Sequence, residues 1–290
     1  PRVIKELMKD PKLREVGGSQ HEISILFSDI ANFSRVSEIM SSDDLVKLLN
    51  RYFETTLACI HETEGTVVNL MGDSIFAIWN APLYQPDHRE RATRAAIRLR
   101  EQLLEFGETE RGLPLRTRVG LHAGISSVGN LGSSTRFDYT AIGESVNLAS
   151  RLEGMNKHIG TNLLASRELQ RAVETFAVWR LLGHFRMKGF GRAVEIHELV
   201  GPLECAEKTK VWRTLFDDAM QDFRARRFEV AESKFRDVIE KRRQTGSIDA
   251  HSREPQADDG PSLFYLRKIQ DFKTQPPSYE WIGEVDLTEK

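Results

Sequence analysis

The stretch TVVNLMGDSIFAIW, residues 66–79, narrows the folds open to this chain more than any other segment. Two apolar runs rich in β-branched residues flank Gly72 and Asp73, and a Gly-Asp pair between such runs reads as a hairpin turn. An antiparallel pair of strands is therefore expected. The same stretch raises a question, because the Asp73 carboxylate stands at a turn whose neighbours all head for a core. Turn chemistry is one answer, since Asp tolerates turn geometry. A metal ligand held at the hairpin tip is the other.

The elements around the hairpin fall into a definite order. EISILFSDI (22–30) is an apolar run of strand length ending in Ser-Asp. SSDDLVKLLNRYFETTLACIHETEG (41–65) reads as a helix that Ser41 or Ser42 caps and Gly65 stops, with Leu45, Leu48, Leu49, Tyr52, Phe53, Leu57 and Ile60 at helical spacing. Asp87 with Glu90 resembles a capping box for a helix that ends at Gly107. LRTRVGLHAGIS and SVGNLG are strand-like pieces, the loop SSTR leads to FDYTAIG, and ESVNLASRLEGMNKH is a further helix. Short strands are expected around Leu163 and Ala193, with a small helix between them. This order fits an α+β, ferredoxin-like sandwich: an antiparallel-rich sheet with helices on one face.

Beyond Gly201-Pro202 the texture changes. Residues 207–243 carry two apolar stripes, Trp212, Leu215, Phe216, Ala219 and Phe223, then Phe228, Ala231, Phe235, Val238 and Ile239. They predict an all-α hairpin similar to one tetratricopeptide unit. A polar loop and a last helix, SLFYLRKIQDF, precede a Pro-Pro tail. A single such unit forms no solenoid, so it should pack on the first domain. At the other end, residues 1–18 read as a short helix, a Pro break and a Gly-Gly joint. The chain begins at Pro1 rather than Met, so a longer protein is expected around it.

Composition excludes several function classes. Length of 290 residues suggests about two domains of roughly 100–200 residues each. Hydrophobic content of 40% and charged content of 29% describe a soluble globular chain. A net charge of −2 gives no general case for nucleic acid or an anionic membrane as partner. Cys59 and Cys205 are the only cysteines, which argues for a reducing compartment and against a disulfide framework. No apolar run reaches the roughly 18 residues that span a bilayer, and no signal peptide is evident.

Asp29 ends the first strand, and a ferredoxin-like sheet can set the hairpin beside that strand, bringing Asp29 and Asp73 to one edge. Two adjacent carboxylates repel unless a cation sits between them. Hard oxygen ligands favour Mg²⁺ or Mn²⁺, and two such ions can activate a hydroxyl and hold a triphosphate. The backbone N–H groups of IANFS, with Asn32, Phe33 and Ser34 leading into a helix, can cradle phosphates; an ordinary strand-to-helix loop is the alternative. Asn147 and Arg151, four apart, share one face of the late helix while Val146, Leu148, Ala149 and Leu152 point inward. Arg151 can meet an anion and Asn147 a ribose oxygen, or both simply face solvent. His122, within VGLHAGIS, reads as packed in the sheet rather than as a ligand.

ILFSDIANFS, GTVVNLMGDSIFAIWNAP, VGLHAGISSVGNLGSSTRFDYTAIGESVNLASRLE and FRMKGF together resemble the class III nucleotidyl cyclase catalytic domain, in its order and spacing, over residues 19–200. The resemblance implies a head-to-tail homodimer with active sites at the interface. It makes Asp29 and Asp73, helped by the Ile30 carbonyl, ligands of two divalent cations, Mg²⁺ or Mn²⁺. It has Asn147 orient the ribose and Arg151 stabilise charge at the α-phosphate, both from the partner chain, and has Lys188 contact the terminal phosphates. DDGPSLFYLRKIQDFKTQPPSYEWIGEVDLTEK, residues 258–290 within the helical extension 201–290, is similar to the helical tail of many bacterial members. Residues 3–18 resemble the segment that joins such members to a membrane-anchored sensor, which implies a cytoplasmic catalytic domain in a protein anchored in the inner membrane.

Two positions depart from the pattern. Where adenine-selective members have Lys, this chain has Asn69, and Thr140 is its companion on the base edge. Both groups donate and accept, so adenine, guanine or uracil can be read by rotating the amide. Glu144 stands where the family usually has Asp, and serves equally as a helix-start acid. The expected activity is adenylate cyclase, ATP to 3′,5′-cyclic AMP and pyrophosphate, with another triphosphate or a silent dimerisation module as alternatives.

Overall fold

The computed structural model describes residues 17–105, 116–133, 137–245 and 258–287, so the helix and break expected over residues 1–16, and Gly107, lie outside the described residues. The elements run β1 (Gly17–Ile30), α1 (Phe33–Ile39), α2 (Ser42–Glu62), β2 (Thr66–Met71), β3 (Ser74–Trp79), α3 (His88–Glu105), β4 (Thr117–Gly132), β5 (Phe137–Ile142) and α4 (Glu144–Ile159). They continue with β6 (Leu163–Ser166), α5 (Arg167–Gln170), β7 (Ala177–Met187), β8 (Val194–Pro202), α6 (Ala206–Arg224), α7 (Phe228–Thr245), α8 (Gly260–Thr274) and β9 (Glu284–Leu287).

All nine strands form one sheet in the order β2-β3-β1-β4-β6-β8-β7-β9, with β5 on the far half of β4. Only β4–β6 and β7–β9 pair in parallel. The hairpin is present, with Gly72 in the left-handed region at φ 62°. It lies on β1, Leu26 opposite Ala77 and Ser28 opposite Ile75. Gly17 and Gly18 do not form a joint: they open β1, opposite Asn130 and Gly129.

Alternation along β1 sends its side chains to two helical layers, not one. Leu26 packs with Ala77 and Trp79 against Tyr52, Cys59 and Ile60 of α2 and Ala92, Ala95 and Ala96 of α3. Ile23 and Ile25 pack with Phe76 and Ile78 against Val146 and Ala149 of α4. Ser41 caps α2, its hydroxyl accepting from the Asp44 N–H at 3.2 Å. Asp87 instead binds Arg91 Nε at 2.7 Å. Among the described residues no helix is long and apolar enough to cross a membrane.

The expected hairpin of α6 and α7 is there, joined by α8 and by β9, which adds to the sheet. A third cluster runs without a break from Leu148, Leu152, Met155 and Ile159 of α4 through Leu182 and Phe185 of β7 to Trp212, Phe216, Phe235 and Tyr265. At its edge lies Arg180, fully buried. Its Nη1 donates to both Asp259 carboxylate oxygens, at 2.9 and 3.0 Å, and its Nε to Glu198 at 2.8 Å. Its guanidinium lies over the rings of Trp212 and Phe216. Asp259 also caps α8 by accepting from the Ser262 N–H at 2.9 Å, and pairs with Arg242 of α7.

Candidate active site

Strand pairing brings the two acidic residues together. Asp29 is the penultimate residue of β1, opposite Arg118, whose Nη1 is 3.8 Å from Asp29 Oδ2. Because β3 lies on the other edge of β1, the hairpin tip reaches the same strand end. Asp73 Oδ2 there accepts a hydrogen bond from the Ile30 N–H at 2.9 Å. Burial, reinforced by the Asp29 charge, raises the Asp73 carboxyl above its usual range against the pull of that N–H group. Asp29 Oδ1 is buried and has no hydrogen-bond partner.

An orphaned carboxylate oxygen beside a second, destabilised carboxylate fits a divalent cation, which would relieve both costs. No group of three His, Cys, Asp or Glu suited to a metal ion exists among the described residues. Asp29, Asp73 and the Ile30 carbonyl would thus supply only part of a shell, leaving positions for phosphate oxygens and water, as Mg²⁺ sites commonly do.

The loop after Asp29 is partly committed within the protein. Ile30 N–H goes to Asp73, and Ala31 N–H donates to the Arg116 carbonyl at 2.8 Å. Asn32, at φ 60°, precedes a helix of only seven residues and exposes its side chain, as does Ser34. Phe33 packs against the core under α2 and α3.

On α4, Val146, Leu148, Ala149 and Leu152 are buried while Asn147 and Arg151 are exposed. The helix is pressed onto β4 at Gly120. A Cβ at that position would overlap the Ala149 carbonyl oxygen and the Glu153 amide nitrogen. Gly120→Ala should accordingly cost about 1–3 kcal/mol by overpacking, read as a lowered midpoint in denaturant unfolding; an unchanged midpoint would show that α4 is free to shift.

Glu153 was not among the residues singled out from the sequence. It faces its own chain's Asp29. Burial first, then the nearby Asp29 carboxylate, pushes the Glu153 carboxyl up to about 8. Its Oε1 is buried without a partner. Gly120 carried the available signal, since a glycine inside a strand marks close approach of another backbone.

Asn69 lies at an irregularity of β2, exposed, with no side-chain hydrogen bond among the described residues. Thr140, half-buried on β5, sits opposite Gly129, and β2 and β5 touch. Lys188 is exposed in the turn after β7. His122 is buried in β4 with Nδ1 2.7 Å from Ser166 Oγ, and burial lowers it to about 4.

A family model described as the adenylate and guanylate cyclase catalytic domain matches residues 16–201. Adenylate cyclase 1 of Rhizobium meliloti (strain 1021) is 39% identical over 194 residues, 66% of this chain and 29% of that protein, so the chain spans under a third of that relative's length. Among solved structures, the guanylyl cyclase Cya2 is 31% identical with a TM-score of 0.58, the match covering 64% of this chain and 95% of that one. The adenylyl cyclase CyaB from P. aeruginosa is 30% identical with a TM-score of 0.56, covering 63% and 96%.

Proposed function

The chain belongs to the adenylate and guanylate cyclase catalytic-domain family, and from that premise we propose that it converts ATP to 3′,5′-cyclic AMP and pyrophosphate in sites shared by two copies of itself. The observation that carries this reading is a division of labour within one chain. Asp29 and Asp73 converge at one strand end, while Asn147 and Arg151 stand exposed on α4 with Arg118 already beside Asp29. An exposed Arg one helix turn from an exposed Asn is suited to a second subunit's substrate.

Asp29, Asp73 and the Ile30 carbonyl would hold divalent cations, which would supply Lewis acidity, neutralising triphosphate charge and favouring loss of the 3′-hydroxyl proton. Asn147 of the second chain fixes the ribose so that its 3′-oxygen lines up with the α-phosphorus, and orientation of this kind is worth several kcal/mol. The new bond forms from that oxygen to the α-phosphorus, the bond to the bridging oxygen breaks, and pyrophosphate leaves with the electron pair. Arg151 faces the charge gathering on the α-phosphate oxygens. Lys188 is assigned the terminal phosphates. The proton from the 3′-hydroxyl passes to solvent, with no side-chain base assigned.

The test is product identification by mass spectrometry after incubation with ATP, GTP or UTP in Mg²⁺ and in Mn²⁺. Cyclic AMP formed fastest supports the reading; a faster cyclic GMP or UMP signal replaces the substrate, and no cyclic product at all rejects the enzyme. The unpartnered amide of Asn69 favours GTP as the second reading, because it can turn to read either purine. Asn69→Lys should therefore raise the ATP-to-GTP ratio of kcat/KM about tenfold or more, the scale of one charged hydrogen bond. An unchanged ratio would remove Asn69 from the base edge.

A further inference from the structure

The helical tail does not lie flush on the sheet along its whole length. β9 borders β7 only from His184 to Met187. Along residues 177–181 no strand lies beyond β7 among the described residues, and α6 faces it across a cleft of about 600 Å³. Its apolar lining comes from Trp179 and Leu181 of β7 and Met220 of α6. Arg213, Asp217, Met220 and Arg224, at i, i+4, i+7 and i+11, form the stripe of α6 that borders it. Three strands, β4, β6 and β8, separate β7 from β1 and its Asp29, so the cleft is no part of the site described above.

The cations of this stripe lack counter-ions. Arg213 donates from Nε to the Thr209 hydroxyl at 3.0 Å and from Nη2 to the Ala206 carbonyl at 3.2 Å, and forms no ion pair among the described residues. Arg224 forms none either, and its Nη2 is buried without an acceptor. The turn before β9 pins its stem: a Cβ on Gly283 would stand 2.7 Å from Arg224 Cγ. A buried N–H without an acceptor is costly, and a volume of this size suits a small organic molecule. We propose that the cleft between β7 and α6 is a binding site for a small organic monoanion with an apolar body. Its acid group accepts from Arg224, Arg213 adds positive charge, and its body covers Trp179, Leu181 and Met220. An inorganic anion would leave that lining bare, and a neutral body would leave Arg224 unpaired. A polyanion would meet the carboxylates of Asp217 and Glu174, which also border the cleft.

Titration of the full chain with 3-(4-fluorophenyl)propionate, followed by fluorine NMR, tests it. The expected Kd is on the order of 1 mM, the scale for about a dozen non-hydrogen atoms. The matching neutral amide should bind at least about tenfold more weakly, since it lacks the charge that Arg224 would meet. Arg224→Gln should weaken binding of the acid about tenfold, the scale of one charged hydrogen bond. Asp217→Asn should tighten it about threefold, because it removes a like charge one helix turn from Arg213. An excess of inorganic pyrophosphate should not displace the acid.

Equal binding of acid and amide would overturn the proposal, as would an Arg224→Gln variant that binds normally or an Asp217→Asn variant that binds no tighter. Displacement by pyrophosphate would place the acid in a polyanion site elsewhere and overturn it too, and so would an acid that does not bind at all. Should Arg224→Gln fail to fold, the Asp217→Asn result decides, because a damaged protein does not gain affinity.

Discussion

Asp73→Asn and Arg151→Ala should each lower turnover by about a hundredfold or more, and a 1:1 mixture of the two should recover roughly a quarter of the unsubstituted rate. The losses follow from what each group does: one removes a charged metal ligand, the other a cation aimed at developing phosphate charge, and a single such group is worth about 10²–10³ in rate. The recovery follows from symmetry. Half of randomly exchanged dimers pair the two variants, and in each of those both lesions fall in one site. Neither chain alone contains an intact pair of half-sites, so the regained activity must come from the interface. Continued silence of the mixture, with exchange demonstrated by a labelled subunit, would mean that each chain works alone and would sink the shared sites. Thermal unfolding should be nearly unchanged for Arg151→Ala, whose side chain is exposed.

Asp259→Ala should cost about 3–5 kcal/mol of stability, a large share of the roughly 5–15 kcal/mol that holds a native domain together. The carboxylate is fully buried between Arg180 and Arg242 and also caps α8. Its removal strands the Arg180 guanidinium, itself fully buried, with Glu198 as the remaining ion-pair partner among the described residues. A buried charge left half-paired is far more costly than the pair was helpful. The pH dependence has a definite sign. Burial works against ionisation, yet Arg180 and Arg242 hold Asp259 well below the usual carboxylate range. A depressed folded-state pKa stabilises above the unfolded value and is lost as pH falls below it. Unsubstituted protein should thus lose stability from about pH 4 downward, and Asp259→Ala should show a shallower loss there. Deleting residues 203–290 should be more damaging still. It uncovers Leu148, Leu152, Met155 and Leu182 together and leaves Arg180 facing water without Asp259. A truncated chain that remained soluble and as heat-stable as the intact one would refute this account of the tail.

The hairpin and its acid were legible because strand, turn and strand are local, and the Asp29 strand is a single apolar run. The α4 pattern was legible because its outward residues are polar and its inward ones are not. β7 was missed for a physical reason. Ala177–Met187 is covered on both faces, Trp179 in one cluster and Val178 and Leu182 in another, so no alternation survives. Arg180 then breaks the apolar run, and its partners, Glu198 and Asp259, lie 18 and 79 residues away. β9 is four residues long, too short to announce itself beyond the Pro-Pro pair. Glu153 was hidden by its helix: two residues after Arg151 and next to Gly154, it reads as one more surface charge until β4 is seen to touch α4 at Gly120.

The sheet finishes with its last-made strand, and β7 waits for it. His184 to Met187 pair with Glu284 to Leu287, so about a hundred residues must be synthesised between the two. At a ribosomal pace of about 5–20 residues per second, a nascent chain would spend some five to twenty seconds with that border open and Arg180 awaiting its counter-ion. Such an interval is when strangers add to unpaired strands. A chaperone that shields the growing chain near residue 180 would find its task here, and slowing translation over residues 203–287 should lower the soluble yield.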